Sequence, residues 1–198
     1  MNLLHKGYRV LAGTHFSKNS YLIESIRMED ALPIMRWRNA QMDALRQKEP
    51  LSKDEQLSYF KKRVEQVFPS PSPDQILVRF THKNKLIGYG GLVHIEWEDK
   101  RAEVSFLLET EIANDTEQYE THFRHFLGLL KELSFKHLNF HKITTESFAH
   151  RKNHVKIIES CGFTRDGVLR DQTQVDGQWV NAVVSSCLQS EFLSQKMN

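Results

Sequence analysis

The stretch Ala102-Glu103-Val104-Ser105-Phe106-Leu107-Leu108 predicts a β-strand with one charged side chain in an otherwise mostly apolar run. Two earlier strands are predicted over residues 75–81 and 86–96, with polar turns after each of them. Three consecutive strands joined by short turns form an antiparallel meander. Three glycines lie inside the second of these strands, at 88, 90 and 91. Because glycine weakens a strand, they indicate a bulge or the close approach of another backbone.

The chain continues from this meander into a long amphipathic helix, predicted over residues 116–138 from apolar residues at three- and four-residue steps. A strand over 142–148 follows this helical crossover, so it should lie parallel to the strand at 102–108. A short helix over 152–160 ends at Gly162, a typical glycine stop. Two closing strands, 163–173 and 180–188, flank a turn at Asp176-Gly177.

The segment before the meander predicts a strand over 20–26 and two helices, one over 30–45 with a candidate break near Asn39 and one over 53–67. Ser52 and Glu55 form a capping-box pattern at the start of the second helix. The proline-rich stretch 69–74 predicts a surface loop, because proline cannot continue a helix. The whole order predicts an α/β fold, in which helices flank a mixed, mostly antiparallel central sheet. We expect one domain over 1–198, with residues 1–19 as a candidate for an additional N-terminal strand.

The composition excludes several classes of protein. The 198 residues are 39% hydrophobic and 26% charged with a net charge of +2, which is ordinary for a globular domain. This charge gives no electrostatic reason to bind nucleic acid or a membrane surface. No stretch approaches the length of a membrane span, and the N-terminus lacks the apolar segment of a secretory signal. With only two cysteines, Cys161 and Cys187, we expect a cytoplasmic protein.

Four motifs, in this order and spacing, carry a resemblance to a known family. They are Lys85-Leu86-Ile87-Gly88-Tyr89-Gly90-Gly91-Leu92, the strand at 102–108, Ile157-Ile158-Glu159-Ser160-Cys161-Gly162-Phe163, and Gly167-Val168-Leu169-Arg170 before Asp176-Gly177. Over residues 85–188 the chain resembles the GNAT superfamily of acyl-coenzyme A N-acetyltransferases. The ribosomal-protein branch is most similar, with weaker likeness to amino-sugar enzymes. The resemblance implies acetyl-coenzyme A as co-substrate, a small-molecule or peptide amine as acceptor, no metal, and compatibility with a homodimer.

The segment at the start of the long helix departs from the family pattern. The family's pyrophosphate loop, Q/R-x-x-G-x-G/A, aligns with Gln118-Tyr119-Glu120-Thr121-His122-Phe123. Gln118 fits, but Thr121 and Phe123 replace the small residues that let backbone amides approach phosphates. Gln118 and Thr121 remain cofactor candidates. Arg151 and Asn153, at the short helix, are candidates for reaching the phosphates from the other side.

The resemblance also implies the chemical roles. Glu103 is the candidate base that deprotonates the amine, and its alternative is an ordinary strand carboxylate in an ion pair. A backbone amide within Leu107, Leu108 and Glu109 is the candidate oxyanion donor, and its alternative is plain sheet pairing. The family's tyrosine acid is replaced by Ile158, which leaves His154, Ser160 or water to protonate the thiolate.

The predicted helices carry the candidate contacts for the acceptor and a histidine pair that could be considered as metal ligands. Trp37, Arg38 and Asn39 are candidate acceptor contacts, with a buried tryptophan and two solvated neighbours as the alternative. His122 and His125 have a spacing that metal sites use, but no carboxylate or cysteine set completes four ligands, so we expect no metal. The loss of both loop glycines keeps a second hypothesis open, a catalytically degenerate GNAT-fold protein that binds a ligand or partner.

Overall fold

The computed structural model describes residues 7–11, 14–175 and 177–194. The first six residues of the expected N-terminal strand, residues 12–13, and Asp176 of the expected turn lie outside the described residues. Six α-helices are described: α1 (Ala31–Ala40), α2 (Lys53–Tyr59), α3 (Thr110–Asn114), α4 (Thr116–Glu132), α5 (Lys152–Ser160) and α6 (Gln189–Ser194). The described strands are β1 (Phe16–Lys18), β2 (Tyr21–Ser25), β3 (Ile76–His82), β4 (Lys85–Glu96), β5 (Arg101–Leu108), β6 (Lys142–Phe148), β7 (Thr164–Val175) and β8 (Gln178–Leu188).

The described strands form one sheet in the order β1-β2-β3-β4-β5-β6-β8-β7. Every neighbouring pair is antiparallel except β5 and β6, which are parallel as the helical crossover predicts. The mixed, mostly antiparallel α/β sheet is therefore confirmed. β1, within the N-terminal segment, adds an edge strand beside β2.

Helices cover the two faces of this sheet. On one face Phe123 of α4 stacks on Phe106 at 4.3 Å between ring centroids, and Phe126 packs edge-on against Phe80. On the other face Arg38 of α1 donates to the hydroxyl of Tyr89 at 2.8 Å. The site described below lies between these layers, where β5 and β6 separate.

The glycines of β4 stand where other backbone segments approach closely, as the sequence predicts. A methyl group added at Gly90 would lie 2.1 Å from the Ser105 carbonyl oxygen, and one at Gly91 would lie 2.0 Å from that of Ile76. Gly91 also has a φ of +133°, a backbone conformation that residues with a side chain rarely adopt. Both positions therefore require glycine.

Several predicted boundaries change in the structure. The helix expected over 30–45 is interrupted close to the candidate break at Asn39: α1 ends at Ala40, and a 3₁₀ turn follows at Met42–Ala44. The segment 110–114, between the predicted strand and the long helix, forms the short helix α3, and a further short helix, α6, follows β8. The long helix continues past Glu132 as a π-helical turn, Leu133–His137, where the Ser134 hydroxyl donates to the Leu130 carbonyl. A hydroxyl bonded in this way to the preceding turn distorts regular α-helix.

Candidate active site

A gap opens between β5 and β6. Their pairing covers only Arg101 with Lys142, Ala102 with Ile143, and Glu103 with Thr144, after which the strands separate. A cavity of about 810 Å³ fills the space beyond, and we call it the strand-gap cavity. Its walls include Glu103–Phe106 of β5, Thr145–Phe148 of β6, and residues of α4 and α5. The gap therefore holds open space rather than the chain's own side chains.

The β5 edge that faces the gap has backbone groups free of sheet pairing. The Glu109 amide donates to the Ile87 carbonyl at 2.8 Å, on the β4 side, so it is not available as an oxyanion donor. Because successive residues of a strand direct their amides to opposite sides, Leu107 also faces β4 and Phe106 and Leu108 face β6. Of the predicted oxyanion donors, the Leu108 amide is the one that faces the gap. The amide of Phe106, which was not predicted, faces the gap as well. The carbonyl of Leu108 is already bonded, to the side chain of Gln41 at 2.9 Å.

Two carboxylates meet at the base of this gap. One guanidinium nitrogen of Arg46 lies 3.0 Å from an oxygen of Glu103 and 3.0 Å from an oxygen of Glu146. The second oxygen of Glu103 lies 3.1 Å from Nδ1 of His94. Both carboxylate side chains are about four-fifths buried, whereas Arg46 is 47% exposed. The site therefore contains a position for a cation between two acidic groups, which a loop arginine occupies from the solvent side.

A polar relay closes the other end of the cavity. Arg151 donates to the hydroxyl of Tyr119 at 3.2 Å, and this hydroxyl lies 2.7 Å from Nδ1 of His154. A hydroxyl that accepts from Arg151 still has its own proton to give to Nδ1, and in the tautomer that receives it a neutral His154 carries its proton on Nε2. The ring of His154 stacks on Phe123 at 4.8 Å. Burial lowers the pKa of His154 well below its usual value, and the charge of Arg151 lowers it further.

This lowered pKa makes stability depend on pH. Burial also lowers the pKa values of His122 and His82. A histidine with a lowered folded-state pKa protonates more readily when unfolded, so stability is full above about pH 6.5 and declines as the pH falls toward the folded value. We expect a higher urea midpoint at pH 8 than at pH 5, and a smaller difference in His154→Phe. His15→Phe, at an exposed position, is the matched control. An equal pH difference in His154→Phe and the parent would contradict this account.

The N-terminus of α4, where the family pattern places the pyrophosphate, is already capped by the chain itself. A carboxylate oxygen of Asp115 accepts from the amides of Glu117 and Gln118, both at 3.0 Å. These bonds, that of Gln118 first, lower the pKa of Asp115. Gln118 and Thr121 are exposed, and the side-chain amide of Gln118 donates to Asp115 at 2.9 Å. The N-terminus of α4 therefore offers a diphosphate no free amides at these two positions.

The other candidates fall into two groups. Arg151, His154, Arg38 and Glu103 line the strand-gap cavity. Trp37 is 8% exposed and belongs to the hydrophobic core. Asn39 lines neither described cavity, because its side chain bonds the backbone of Leu51 on both sides, at 2.9 and 2.8 Å. Ser160 donates to the Ile157 carbonyl at 2.7 Å, and Asn153 is exposed; neither lines the cavity.

The site contains groups that were not predicted, namely Arg46, Glu146, Tyr119, His94 and the Phe106 amide. Arg46 lies in a loop, and Glu146 alternates with hydroxyl side chains on β6, so neither stands out along the chain. Tyr119 could have been found from the sequence, because it lies within the segment that differs from the family's pyrophosphate-loop pattern.

Three histidines, His82, His122 and His125, surround the ring of Tyr21. The Tyr21 hydroxyl lies 2.9 Å from Nδ1 of His122, and the Tyr21 ring also stacks on the rings of His82 and His125. Within 7–11, 14–175 and 177–194, no group of three His, Cys, Asp or Glu residues is arranged to hold a metal ion. Over the same ranges, no helix combines the length and the apolar character that crossing a membrane requires.

The chain is similar to acetyltransferases both in sequence pattern and in fold. The family model described as an acetyltransferase (GNAT) domain matches residues 23–184. A solved spermidine N-acetyltransferase from Vibrio cholerae, in complex with CoA and spermine, is 21% identical with a TM-score of 0.76, over 89% of this chain and 99% of that chain. A dodecameric structure of spermidine N-acetyltransferase from Vibrio cholerae is 21% identical with a TM-score of 0.74, over 90% of this chain and 99% of that chain. At this level of identity, the likeness establishes the fold. No curated protein matches the chain.

The family model covers most of the chain, including both strands of the gap, the long helix between them and α5. It confirms the superfamily, the acetyl-coenzyme A co-substrate and the enzyme class that the strand and glycine motifs imply. The chain belongs to the GNAT acetyltransferase family and is an acyl-coenzyme A-dependent N-acetyltransferase.

Proposed function

We propose that this protein transfers an acetyl group to the primary amine of a small molecule or peptide, and that the amine enters as an ammonium group between Glu103 and Glu146. The observation that carries this proposal is the position of the Arg46 guanidinium, 3.0 Å from both carboxylates. An ammonium group fits such a site because two carboxylates attract it from either side. Ion pairs with a solvent-exposed partner typically contribute roughly 0–1 kcal/mol, so a substrate cation can displace Arg46 at small cost.

The residues around this position supply the steps of the transfer. Glu103 accepts a proton from the ammonium group, which frees the nitrogen lone pair for attack. Bound acetyl-coenzyme A supplies the thioester carbonyl that this nitrogen attacks. The gap-facing amides of Phe106 and Leu108 are placed to donate to the oxyanion that forms. His154 is favoured over Ser160 as donor to the leaving thiolate, because only His154 lines the cavity. As Nε2 gives its proton to the thiolate, Nδ1 takes the proton of the Tyr119 hydroxyl, and the phenolate that remains lies beside the Arg151 guanidinium.

Arg151 is the described basic side chain that both lines the cavity and lies at the start of α5. With Lys152 and Asn153 nearby, it is the proposed contact for the diphosphate, in place of the capped end of α4.

One sheet and one hydrophobic core support treating the described residues as a single domain. Oligomer formation, with a homodimer as the simplest case, is also proposed, since one solved relative is dodecameric.

Arg46→Met tests the cation position, because methionine keeps an apolar stem but removes the competing charge. We expect KM for the amine to fall roughly three- to tenfold, which corresponds to the roughly 1 kcal/mol of an exposed ion pair. The measurement is coenzyme A release with ethylamine, spermidine, glucosamine and an N-terminal peptide as acceptors. Arg101→Met, at an exposed arginine paired with Asp99, is the matched control.

Two results would overturn the proposal. A rise in KM for Arg46→Met would show that Arg46 binds the acceptor instead of standing in for it. If acetyl-coenzyme A at millimolar concentration failed to raise the melting temperature, and no amine released coenzyme A, the degenerate binding protein would be the better description. The Asp115 cap on α4 is the observation that favours that second candidate.

A further inference from the structure

A second cavity, of about 440 Å³, lies beside the strand-gap cavity on the α1 and α2 side of the sheet. We call it the helix-side pocket. Its apolar wall is built from both helices, from the loop between them and from the sheet, and consists of Ile34, Leu51, Tyr59, Phe60, Leu77 and Tyr89. Pockets of this size and lining bind apolar groups of small ligands.

Several polar side chains in the lining are already bonded within the protein. Arg38 donates to the Tyr89 hydroxyl at 2.8 Å and to Gln47 at 2.9 Å. Gln56 donates to the Ala31 carbonyl at 3.1 Å, and the Tyr59 hydroxyl donates to Gln75 at 3.0 Å. A ligand group in this pocket therefore does not need to supply partners for these side chains. This favours an apolar occupant, because a polar one would give up hydrogen bonds to water with little in return.

The two cavities share a wall next to the proposed base. Val93 and Ser105 line both of them, and Val93 is the cross-strand partner of Glu103. Ser105 is two residues from Glu103, on the same face of β5 and roughly 7 Å along the strand. A group attached a few bonds from an amine nitrogen at Glu103 can therefore extend past Ser105 into the helix-side pocket.

We propose that the acceptor is a primary amine that carries an aryl or branched alkyl group, and that the helix-side pocket binds this group. This rests on the proposed function, since it assumes the amine position at Glu103. The chemistry fits an arylalkylamine or the N-terminus of a peptide with a large apolar first residue. It ranks an unbranched polyamine below these acceptors, because an unbranched alkyl chain fills the apolar wall less completely and Glu55, the acidic residue of the lining, is already bonded to Ser52. Asn39 is a positioning residue, since its side chain holds both backbone groups of Leu51 at the pocket wall.

The test compares kcat/KM for phenethylamine, a Phe-initiated tetrapeptide, spermidine and ethylamine with acetyl-coenzyme A. We expect phenethylamine or the peptide to exceed ethylamine and spermidine at least tenfold, since one buried methylene alone is commonly worth that factor. The ratio of peptide to phenethylamine distinguishes the two sources of the group. Leu51→Trp, which fills the pocket, is expected to lower the ratio of phenethylamine to ethylamine at least tenfold. Leu193→Trp adds the same bulk at an exposed position of α6 and is the matched control.

Tyr59→Ala provides a second variant that enlarges the pocket and removes a side chain that is 40% exposed. We expect KM for phenethylamine to rise at least fivefold, and by a smaller factor for ethylamine. The inference alone is overturned if coenzyme A is released from these amines but ethylamine or spermidine matches phenethylamine and Leu51→Trp changes the ratio less than twofold. If no amine supports coenzyme A release at all, the proposed function itself fails.

Discussion

Glu103→Gln is expected to lower kcat/KM for the amine acceptor by about 10² to 10⁴, the range that a positioned general base contributes. Glutamine keeps the size of the side chain and its packing on β5, but it cannot accept the proton of the ammonium group. It also weakens the acidic pair that Glu103 forms with Glu146 around the cation position. Steady-state coenzyme A release at saturating acetyl-coenzyme A measures this loss.

The matched control is Glu98→Gln, at an exposed turn before β5, which should leave kcat/KM within twofold of the parent. Acetyl-coenzyme A should still raise the melting temperature of Glu103→Gln, since this carboxylate does not contact the thioester arm in the proposed arrangement. A variant that retained more than a third of the parent's kcat/KM would show that Glu103 is only an ion-pair partner of Arg46 and His94.

Gly91→Ala is expected to lower the free energy of unfolding by about 3 kcal/mol or more, the largest effect on stability that we predict. Two causes add together here. A β-carbon would lie 2.0 Å from the Ile76 carbonyl oxygen, which belongs to backbone and cannot rotate away. The φ of +133° is in addition a conformation that costs a residue with a side chain roughly 1–3 kcal/mol. Urea denaturation followed by circular dichroism measures the change.

Gly128→Ala on α4 provides the opposite control, because a methyl group there would meet nothing within 4 Å. Alanine in a helix is favoured over glycine by about 1 kcal/mol, so this variant should be more stable than the parent. If Gly91→Ala cost less than about 1 kcal/mol, β4 would have to shift away from β3 more easily than close strand packing allows.

Local sequence signals were sufficient for much of the architecture. The Ser52–Glu55 capping box forms as predicted, with the Ser52 amide 2.8 Å from the Glu55 carboxylate. The predicted bounds of β6 and α5 agree with the structure, and Gly162 ends α5 with a φ of +85°. These features depend on neighbours a few residues apart, so alternating or helical periodicity and capping residues are enough to reveal them. At the boundary after Ala40, the next side chain, Gln41, donates to the distant Leu108 carbonyl, whereas the change after Glu132 accompanies the local bond of the Ser134 hydroxyl to Leu130.

Only part of the candidate site could be predicted from the sequence. Glu103 stood out as a charge in an apolar strand, and the replaced glycines at 121 and 123 indicated an altered pyrophosphate segment. The partners that define these residues are distant in the chain. Glu103 meets Arg46, 57 positions away, and Tyr119 meets His154, 35 positions away.

The chain's periodicity, glycines and caps by themselves were enough to establish a mixed α/β sheet with a helical crossover and a family resemblance. The pairing of two carboxylates around one cation and the apolar pocket beside the gap became visible only in the folded chain. The strand-gap cavity exists because two parallel strands separate after Glu103, and side chains from many segments of the chain surround the space that opens. Periodicity along a chain records which face a residue occupies, but it does not record which distant residue it will meet there.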